Sequence, residues 1–497
     1  MVEQLTHWIA GKPVGGSGRR HGEVFDPATG VVSGRVPFAD ATEVDRAVGA
    51  AAEAFAEWST TSLSRRTSVL FAWREVLQHR GDELAALVTA EHGKVLADAR
   101  GEVQRGREMV EFACGIAHLI KGEHTQGASV GIDVHSVRQP LGPVAVVSPF
   151  NFPVMVPCWF VPIAVACGNT VVLKPSEKDP SAALWLVRTF EEAGLPAGVL
   201  NVVQGDAEAV DALVGHPDVR AVSFVGSTPV AAHVWRRATG AGKRVQALGG
   251  AKNHMVVRPD ADLDVAADAA VNAGFGSAGE RCMAVSVVVA LDAVGDPLVR
   301  RIAERMASLR VGDGRTGCDM GPLVTAAHRD RVAAYLDAGV EQGAELVVDG
   351  RASVDGLAPG GFWLGPSLFD HVTPAMSVYR DEIFGPVLSV VRVRSDHEAL
   401  GLVNANPYGN GVSVFTNDGR AARHFEAAVE VGMVGVNVPI PVPMAYYSFG
   451  GWKGSLFGDT HAHGPDGVRF FTRGKVVTTR WPDPGPAALD LGFPGSA

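Results

Sequence analysis

The sequence predicts an α/β fold built from two consecutive domains with parallel sheets. Short apolar runs rich in β-branched residues alternate with alanine-rich amphipathic stretches, a pattern typical of β-α-β units whose sheet is covered on both faces. Four such runs precede the Gly-Gly pair at 249–250 and four follow it, so we place the domain boundary there. In chain order, the predicted strands are 142–148, 168–174, 198–203, 221–226, 253–257, 283–291, 385–393 and 411–416.

The segments around these strands complete the coarse assignment. The length of 497 residues exceeds what one compact core usually holds. Helices are predicted at 181–193 and 229–238, and residues 42–112 are helix-rich with few turn signals. The segment after Trp481 is rich in Pro and Gly, which favours irregular structure.

One uncharged stretch, 139–173, is long enough to suggest a membrane span. Six prolines interrupt it, with Ser148 and Asn151 between them, and a spanning helix would not be broken so often. We therefore predict a buried strand, a loop and a core helix there, and no membrane partner.

The composition is that of an ordinary globular protein, with 46% hydrophobic and 20% charged residues. The formal charge of −10 argues against a nucleic-acid partner. The five cysteines include no C-x-x-C pair, which argues against a disulfide framework or a zinc site and favours a reducing compartment. Because the N-terminus also lacks an apolar signal-peptide core, we expect a cytoplasmic protein without a metal centre.

Two glycine-rich strings match phosphate-binding motifs only in part. GDGRTG at 312–317 has no convincing strand before it and no helix after it, and GAGKR at 240–244 lacks the required Ser or Thr after the lysine. The segment 223–235 is a better candidate, because a strand runs into Gly226 and Ser227 and a helix follows. The free N–H groups of that helix could hold a pyrophosphate, and an ordinary βα turn is the alternative.

Another predicted strand ends in LKPSEK at 173–178. Lys174 and Glu177 would lie at the carboxyl end of that strand, where α/β sheets bind their ligands. A lysine and a carboxylate there could grip the two ribose hydroxyls of an adenosine, and the carboxylate would repel a 2′-phosphate. This favours NAD over NADP, with a solvated turn as the alternative.

Cys282 differs from the other cysteines in its surroundings. Cys158 and Cys167 fall on an apolar stretch and are predicted to be core residues, as free cysteines usually are. Cys282 follows the small-residue run GFGSAGE, precedes an apolar strand and has Arg281 beside it. A neighbouring cation lowers a thiol pKa, so these features favour a reactive nucleophile.

Five motifs resemble the aldehyde dehydrogenase superfamily in order and spacing, and the likeness extends from about Trp8 to Trp481. They are SPFNFP (148–153), VVLKPSE (171–177), FVGST (224–228), GERCMA (279–284) and DEIFGPV (381–387). Three further strings look like those of the CoA-acylating methylmalonate-semialdehyde dehydrogenases, a group that includes malonate-semialdehyde enzymes. These strings are LGGAKNH (248–254), AGERCMA (278–284) and NVPIPVPMAYYSFGGWKGSLFGD (437–459).

The resemblance implies a Rossmann-like NAD domain, an α/β catalytic domain and a small β ribbon for oligomerisation. On this sequence it predicts a split NAD domain at 1–122 and 141–249 and a catalytic domain at 250–435. The ribbon and the C-terminal segment are expected at 123–140 and 436–497. Dimers in the family usually pair, so a homotetramer is expected.

The same resemblance implies roles for individual residues. Cys282 matches the catalytic nucleophile, and the side-chain amide of Asn151 matches the oxyanion-hole donor. Other matching positions contact the NAD cofactor, with Glu382 on the nicotinamide ribose; they are Ser148, Phe150, Lys174, Glu177, Lys178, Gly226, Ser227, Gly249, Glu382 and Phe384.

One position departs from the hydrolytic members of the family, which carry a glutamate immediately before Leu-Gly-Gly. Ala247 occupies it here, and neither a methyl group nor the neutral amide of Gln246 can accept a proton from water. A thioacyl-enzyme should then hydrolyse slowly, whereas coenzyme A needs less help because its thiol pKa lies nearer neutrality. Glu280 is the rival base, although we expect its carboxylate to pair with Arg281.

Arg105 and Arg281 are the candidate substrate residues. A semialdehyde that bears a carboxylate needs a cation, and arginine offers a bidentate fork. Arg105 lies in a predicted helix, where the subfamily resemblance also places an arginine, and a surface or interdomain salt bridge is the alternative. Arg281 could instead act only on the thiol.

The resemblance and the missing base together predict CoA-acylating, NAD-dependent oxidative decarboxylation of methylmalonate or malonate semialdehyde to propanoyl-CoA or acetyl-CoA. The family places these steps in valine and myo-inositol breakdown. Two alternatives stay open: a hydrolytic NAD-dependent aldehyde dehydrogenase that releases a free acid, and a non-enzymatic structural protein on the same fold. The sequence does not choose between the two semialdehydes and does not locate the CoA site.

Overall fold

Two large sheets and a separate ribbon organise the computed structural model, which describes residues 2–18, 20–354 and 356–481. Helices cover the sheets, so the predicted α/β fold class is confirmed. All eight predicted strands are present, and each begins at the predicted residue or up to two residues later. The predicted irregular tail after Trp481 lies outside the described residues.

The first sheet contains the four predicted strands that precede the Gly-Gly pair, and these pair in parallel. Short strands join antiparallel at both edges. In spatial order the strands are β22 (Leu456–Phe457), β12 (Arg244–Leu248), β11 (Ala221–Val225), β8 (Pro143–Val147), β9 (Thr170–Lys174), β10 (Leu200–Val202), β2 (His7–Ile9) and β3 (Lys12–Val14).

Strand β12 was not predicted, although it is part of this parallel core. It begins with the charged Arg244, and a polar Gln246 stands at its centre, so it does not form an apolar run. Gln246 is nevertheless buried, and its amide donates to the Ser223 hydroxyl on the neighbouring strand at 2.8 Å. A hydrogen bond between strands thus offsets the burial of this polar side chain.

The second sheet holds the four predicted strands that follow the Gly-Gly pair, again in parallel. Only its first strand in space is antiparallel to its neighbour. The order is β15 (Glu345–Val348), β16 (Ser367–Asp370), β17 (Val387–Val393), β14 (Val285–Leu291), β13 (Asn253–Val257), β19 (Gly411–Phe415) and β20 (Met433–Val436).

The remaining strands form smaller sheets. The ribbon is a three-stranded antiparallel sheet of β6 (His124–Ser129), β7 (Ile132–Pro140) and β23 (Thr472–Arg480). The others are β1 (Glu3–Gln4), β4 (His21–Asp26) and β5 (Val31–Pro37) in one sheet, and β18 (Tyr408–Gly409) and β21 (Trp452–Lys453) in another.

Helices connect the strands as the α/β pattern predicts, and the helix-rich segment 42–112 corresponds to the first three of them. They are α1 (Ala41–Trp58), α2 (Leu63–His92), α3 (Leu96–Cys114), α4 (Ile116–Leu119), α5 (Met155–Ala166), α6 (Ser181–Glu192), α7 (Ala207–Gly215), α8 (Thr228–Gly240), α9 (Leu263–Phe275), α10 (Asp292–Met306), α11 (Ala326–Glu341), α12 (Ser377–Arg380), α13 (Asp396–Ala405), α14 (Gly419–Ala428) and α15 (Gly464–Phe470).

The uncharged stretch 139–173 forms strand β8, a loop and the buried helix α5, as predicted. In the described part of the chain, no helix is both long and apolar enough to cross a membrane. Cys158 and Cys167 are fully buried in the apolar core around α5, which confirms their assignment as packing residues.

Both faces of the first sheet are buried. Val144 and Val146 of β8 pack into the cluster formed with α2, α3, α5 and α6. Ala145 and Val147 pack into the opposite cluster with α1, α7 and α8. Loops at the end of such a sheet therefore have a rigid base, and functional side chains on them are held in fixed directions.

Candidate active site

The order of strands in the first sheet creates a crevice at its carboxyl edge. After β8 the chain adds β9 and β10 on one side, then crosses over to add β11 and β12 on the other. Strands β8 and β11 are parallel neighbours, so the loops that follow them leave in opposite directions from the same edge. Such a switch point is where open α/β sheets bind their ligands.

Five of the predicted site residues follow these two strands. Ser148, Phe150 and Asn151 lie in the loop after β8, and Gly226 and Ser227 lie in the turn after β11. The loop after β8 and the turn after β11 are distant from each other in the sequence. The topology therefore brings the SPFNFP and FVGST motifs together.

The turn after β11 ends at the N-terminus of helix α8. Ser227 is the N-cap residue in extended conformation, and its side chain makes no capping hydrogen bond. The first N–H groups of the helix therefore remain free of a side-chain cap, and the positive end of the helix dipole points into the crevice edge. A Cβ at Gly226 would lie 2.6 Å from the Phe224 ring, so a larger residue would disturb this turn.

The Gly-Gly pair at the end of β12 closes the crevice on one side. A Cβ at Gly249 would lie 2.7 Å from the carbonyl oxygen of Gly454 and 2.9 Å from the Thr228 hydroxyl. That hydroxyl accepts a hydrogen bond from the N–H of Gly250 at 2.8 Å. Thr228, which the sequence analysis did not select, thus fixes the Gly-Gly backbone against helix α8.

Lys174 and Glu177 lie at the carboxyl end of β9, as predicted. The Lys174 ammonium is buried and lies 3.4 Å from the half-buried Glu177 carboxylate. Burial lowers the Lys174 pKa, and Glu177 partly offsets this effect. The ammonium of Lys178 sits 4.1 Å from the centre of the Phe150 ring, a cation–π contact that orders the loop after β8.

Glu382 and Phe384 come from the segment that leads into β17 of the second sheet. The Phe384 ring meets the Phe150 ring edge-on at 5.8 Å, so this segment contacts the loop after β8. One Glu382 oxygen accepts a hydrogen bond from the Ala251 N–H at 2.8 Å. Burial raises the Glu382 pKa to about 7.

A buried lysine that sequence reasoning missed holds the Glu382 segment. The Lys252 ammonium donates to the carbonyl oxygens of Val378 and Asp381, both at 2.8 Å. Its pKa falls to about 8 because of burial, while Glu382 and Asp381 act in the opposite direction. The available signal was a lysine inside the LGGAKNH string, just before a fully buried strand.

Cys282 lies in a turn between helix α9 and strand β14. Ser277 and Ala278 adopt left-handed backbone conformations with φ of 55° and 52°, which is uncommon for residues other than glycine. A Cβ at Gly279 would lie 2.2 Å from the carbonyl oxygen of Gly385. The turn is thus pressed against the Glu382 segment, and strained backbone of this kind is concentrated at functional sites.

Two asparagine side chains fix the backbone of the cysteine. The amides of Asn253 and Asn410 donate to the Cys282 carbonyl oxygen at 2.9 and 3.2 Å. Asn253 also donates to the Ala284 carbonyl at 3.0 Å and accepts from the Gly411 N–H at 3.1 Å. Sequence reasoning found neither residue. Each is a single asparagine beside a strand, and no motif spacing marks it as a contact of Cys282.

The thiol itself is half-buried and opens into a cleft that it shares with Arg281, Asn253, Glu382 and Phe384. Its pKa is raised to about 12, chiefly by burial and then by the Glu382 charge. The Arg281 charge acts in the predicted direction, but it is the smaller influence. The expected lowering of the thiol pKa by Arg281 is therefore confirmed in direction, but burial and the Glu382 charge outweigh it in the free protein.

The expected pairing of Glu280 with Arg281 is also wrong. Arg281 reaches across to Asp98 on helix α3, with 2.5 Å between Nη2 and Oδ1. Glu280 is fully buried between two histidines, 3.5 Å from His328 Nε2 and 3.8 Å from His92 Nε2.

Ala247 is fully buried and packs into the apolar cluster with α1, α7 and α8. The neighbouring Gln246 amide is already paired with Ser223. Neither residue supplies a proton acceptor.

Arg105 lies on helix α3, about one-third exposed. Its guanidinium pairs with Glu108 on the same helix at 2.9 Å, the salt bridge left open as the alternative role. The same Nη1 atom also lies 3.2 Å from the Met444 sulfur, which ties this arginine to the segment 437–448. Asp98 and Arg105 are seven residues apart, so Arg105 and the partner of Arg281 face the same side of α3.

Comparison with known proteins agrees with this geometry. Residues 14–477 match the sequence model of the Aldehyde dehydrogenase family. A malonate-semialdehyde dehydrogenase from Pseudomonas aeruginosa is 54% identical over 480 residues, which cover 96% of each chain. Malonate-semialdehyde dehydrogenase 3 from Geobacillus kaustophilus is 50% identical over 482 residues, covering 97% of this chain and 99% of the relative.

Solved structures agree over the same length. The NAD complex of a Sinorhizobium meliloti protein, assigned as a methylmalonate-semialdehyde dehydrogenase, has a TM-score of 0.96 and 51% identity. The match covers 97% of this chain and 99% of that chain. The methylmalonate-semialdehyde dehydrogenase from Oceanimonas doudoroffii has a TM-score of 0.95, with the same identity and coverage. The resemblance found in the motifs is confirmed: the chain belongs to the aldehyde dehydrogenase family and is an NAD-dependent enzyme.

Proposed function

We propose that this enzyme oxidises malonate or methylmalonate semialdehyde, releases CO₂ and transfers the remaining acyl group to coenzyme A. The relatives named above act on these two semialdehydes, and the active-site residues fit that chemistry. The observation that carries the CoA step is the buried methyl group of Ala247, which stands where hydrolytic members hold a general base.

The crevice of the first sheet fits the NAD cofactor, which supplies a hydride acceptor when bound. The uncapped N-terminus of α8, with Ser227 and Gly226, provides N–H donors for a pyrophosphate. Lys174 and Glu177 suit the adenosine ribose, and Glu382 suits the nicotinamide ribose. Ser148, Phe150, Lys178, Gly249 and Phe384 complete this proposed set.

Cys282 is the proposed nucleophile, with Asn151 as an oxyanion donor. The thiolate attacks the aldehyde carbon, and the resulting oxyanion accepts hydrogen bonds from the Asn151 amide and the Cys282 N–H. Loss of a hydride from the tetrahedral carbon leaves a thioester on the sulfur. Burial and the Glu382 charge raise the pKa of this thiol, and the Arg281 charge lowers it.

The thioester carries a carboxylate one carbon away from its carbonyl group. Cleavage of the C–CO₂ bond leaves an electron pair that the thioester carbonyl delocalises, and a proton from solvent then completes the acetyl or propanoyl group. The thiolate of CoA attacks this thioester and Cys282 leaves, so one thioester is exchanged for another. Water competes poorly because neither Ala247 nor Gln246 can take its proton.

Arg105 and Arg281 are the proposed cations for the substrate carboxylate. They are tied to the same face of α3, Arg105 directly and Arg281 through Asp98. Each is partly exposed and keeps N–H groups beyond the one that its acidic partner occupies, so a carboxylate can be shared between them.

We also propose the domain division given by the sequence: residues 1–122 and 141–249 bind NAD, residues 250–435 form the catalytic domain, and 123–140 and 436–497 form the oligomerisation segment. Val476 and Trp481 on or beside the ribbon are largely exposed, which suits burial by another subunit in a tetramer. The proposed substrates are consistent with a cytoplasmic enzyme of valine or myo-inositol breakdown.

The test is the yield of NADH and of acyl product with CoA supplied or withheld. With either semialdehyde we expect a single turnover of NADH without CoA, then steady turnover and acetyl-CoA or propanoyl-CoA in mass spectra when CoA is added. Fast steady turnover to a free acid without CoA would contradict the proposal and establish the hydrolytic alternative. Absence of NADH with both semialdehydes would contradict the proposed substrates.

A further inference from the structure

A buried ion pair lies behind the loop that carries Asn151. The Lys94 ammonium and the Glu102 carboxylate are 2.8 Å apart, and their side chains are 0% and 1% exposed. Lys94 comes from the turn between α2 and α3, and Glu102 lies on α3 itself. A buried pair of this kind loses its hydration, so its remaining hydrogen-bonding positions must be satisfied by protein.

Lys94 satisfies this requirement through the backbone of Asn151. Its ammonium donates to the Asn151 carbonyl oxygen at 2.6 Å and lies 4.5 Å from the centre of the Phe152 ring. This contact engages the backbone carbonyl of Asn151 and not its side-chain amide. The lysine therefore fixes the backbone and leaves the amide free for a ligand.

Glu102 holds the other end of the same loop. Its second oxygen accepts hydrogen bonds from the N–H groups of Val154 and Met155, at 2.8 and 3.1 Å. Val154 is the N-cap residue of helix α5 and has no side chain that can cap it. A carboxylate from α3 therefore replaces the missing cap, and the α5 dipole favours its charge.

Helix α3 connects this clamp to the nucleophile. Asp98, Glu102 and Arg105 stand four and then three residues apart, so they share one face of the helix. Asp98 binds Arg281, the residue directly before Cys282, at 2.5 Å. One rigid helix face thus contacts both the Asn151 loop and the cysteine turn.

We propose that Lys94 and Glu102 are positioning residues for the oxyanion hole and act through the Asn151 loop. This rests on the proposed roles of Asn151 and Cys282. An oxyanion donor is worth about 10²–10³-fold in rate, and a displacement of about 1 Å can cost about 10²-fold. Charged groups make stiffer hydrogen bonds than neutral ones, which suits a loop whose amide must meet the reacting oxygen at a fixed distance.

The experiment measures the first turnover of NADH without CoA in Lys94→Met, Glu102→Gln and Asn151→Ala, singly and combined. We expect each clamp variant to slow this step by about 10–100-fold, with the KM for NAD changed less than about twofold. In the Asn151→Ala background, the same changes should cost less than about threefold, because the amide that they position is gone.

Two control variants separate an effect on the oxyanion hole from a general loss of stability. Each single variant leaves a buried charge unpaired, so the neutral double variant Lys94→Met/Glu102→Gln is compared with them. Asp370→Asn breaks the partly buried pair of Asp370 with Arg392 at the far end of β17, where Nη2 and Oδ2 are 2.5 Å apart. This control should keep the wild-type first turnover while losing comparable stability.

Equal slowing by the clamp variants with and without the Asn151 amide would overturn the inference, as would a wild-type rate in the folded double variant. A first turnover insensitive to Asn151→Ala would overturn it together with the proposed role of Asn151. Loss of CoA dependence, by contrast, would contradict only the proposed acyl acceptor, because the first turnover precedes that step.

Discussion

The loop that carries Asn151 and the turn that carries Cys282 are held by side chains of different chemistry. Charged groups, Lys94 and Glu102, bind the backbone on both sides of Asn151. Neutral amides, Asn253 and Asn410, bind the Cys282 carbonyl. The Arg281–Asp98 ion pair also ties the cysteine turn to α3, but the groups that bind the Cys282 carbonyl itself are neutral and add no charge there. The backbone around Asn151 is instead bound directly by an ion pair. The difference predicts distinct responses to substitution and to pH.

The largest effect in this comparison should come from the sulfur itself. Cys282→Ser leaves the surrounding hydrogen bonds intact but replaces the thiol by a hydroxyl that ionises far less readily. We expect the NADH burst to fall by at least about 10³-fold with little change in Tm. The matched control is Cys318→Ser, since Cys318 is half-buried in the remote 312–318 turn. A comparable loss there would contradict a special role for Cys282.

The neutral amides should rank next. Asn253→Ala removes two donor contacts and one acceptor contact around the cysteine turn, and we expect kcat to fall about 10–100-fold. Unfolding free energy should drop by about 1–3 kcal/mol, because buried backbone groups lose their partners. Asn410→Ala removes the longer contact to Cys282 and a weak contact to the Met283 sulfur, and it should cost less on both measures. Equal losses in the two variants would show that the turn does not depend on the Asn253 network.

Much of this region was predictable because α/β sheets place functional residues at strand ends. The runs before Ser148, Lys174 and Gly226 are apolar and β-rich, so their strands and the shared crevice followed from pattern alone. Cys282 also stood out by its small-residue surroundings. These residues lie in the recognised motifs. The alternation of strands and helices along the chain already implied that the motifs share the carboxyl edge of the sheet.

The supporting residues were not predictable from pattern. Lys252 and Glu102 are single charges whose burial depends on which chain segments the fold packs over them. The pairing of Arg281 with Asp98 joins residues 183 positions apart, and sequence proximity instead suggested Glu280. Strand β12 was missed because its polar residues are satisfied across the sheet. Long-range pairing of polar groups leaves no periodic signature.

The charge on Glu382 should have a smaller, pH-dependent effect on the reactivity of the Cys282 thiol. It does not concern the Asn151 loop. Glu382 has a pKa of about 7, and its ionised form raises the pKa of the Cys282 thiol. In Glu382→Gln, iodoacetamide should therefore alkylate Cys282 about 3–10-fold faster above pH 7, without cofactor. Below pH 7 the wild-type carboxyl is largely neutral and the two rates should converge. A constant ratio across pH would mean that access rather than charge controls the thiol.

Glu280 should have the smallest effect on turnover, although it lies two residues from the nucleophile. It is enclosed by His92 and His328, whose pKa values burial lowers, so both histidines are neutral near pH 7. Burial raises the Glu280 pKa from 4.5 to about 8. The folded state therefore keeps a proton that the unfolded state releases, and stability falls as pH rises from about 4.5 to about 8.

Glu280→Gln removes this proton linkage without changing the size of the side chain. We expect the Tm of the variant, relative to wild type, to rise by about 2–4 °C between pH 5 and pH 8. The rate of NADH formation without CoA should stay within about twofold of wild type, because a neutral, enclosed carboxyl cannot deprotonate water at the thioester. If that rate fell tenfold or more, Glu280 would be the missing base. The turn that carries Cys282 would then hold a general base, and water would become the natural acceptor of the acyl group.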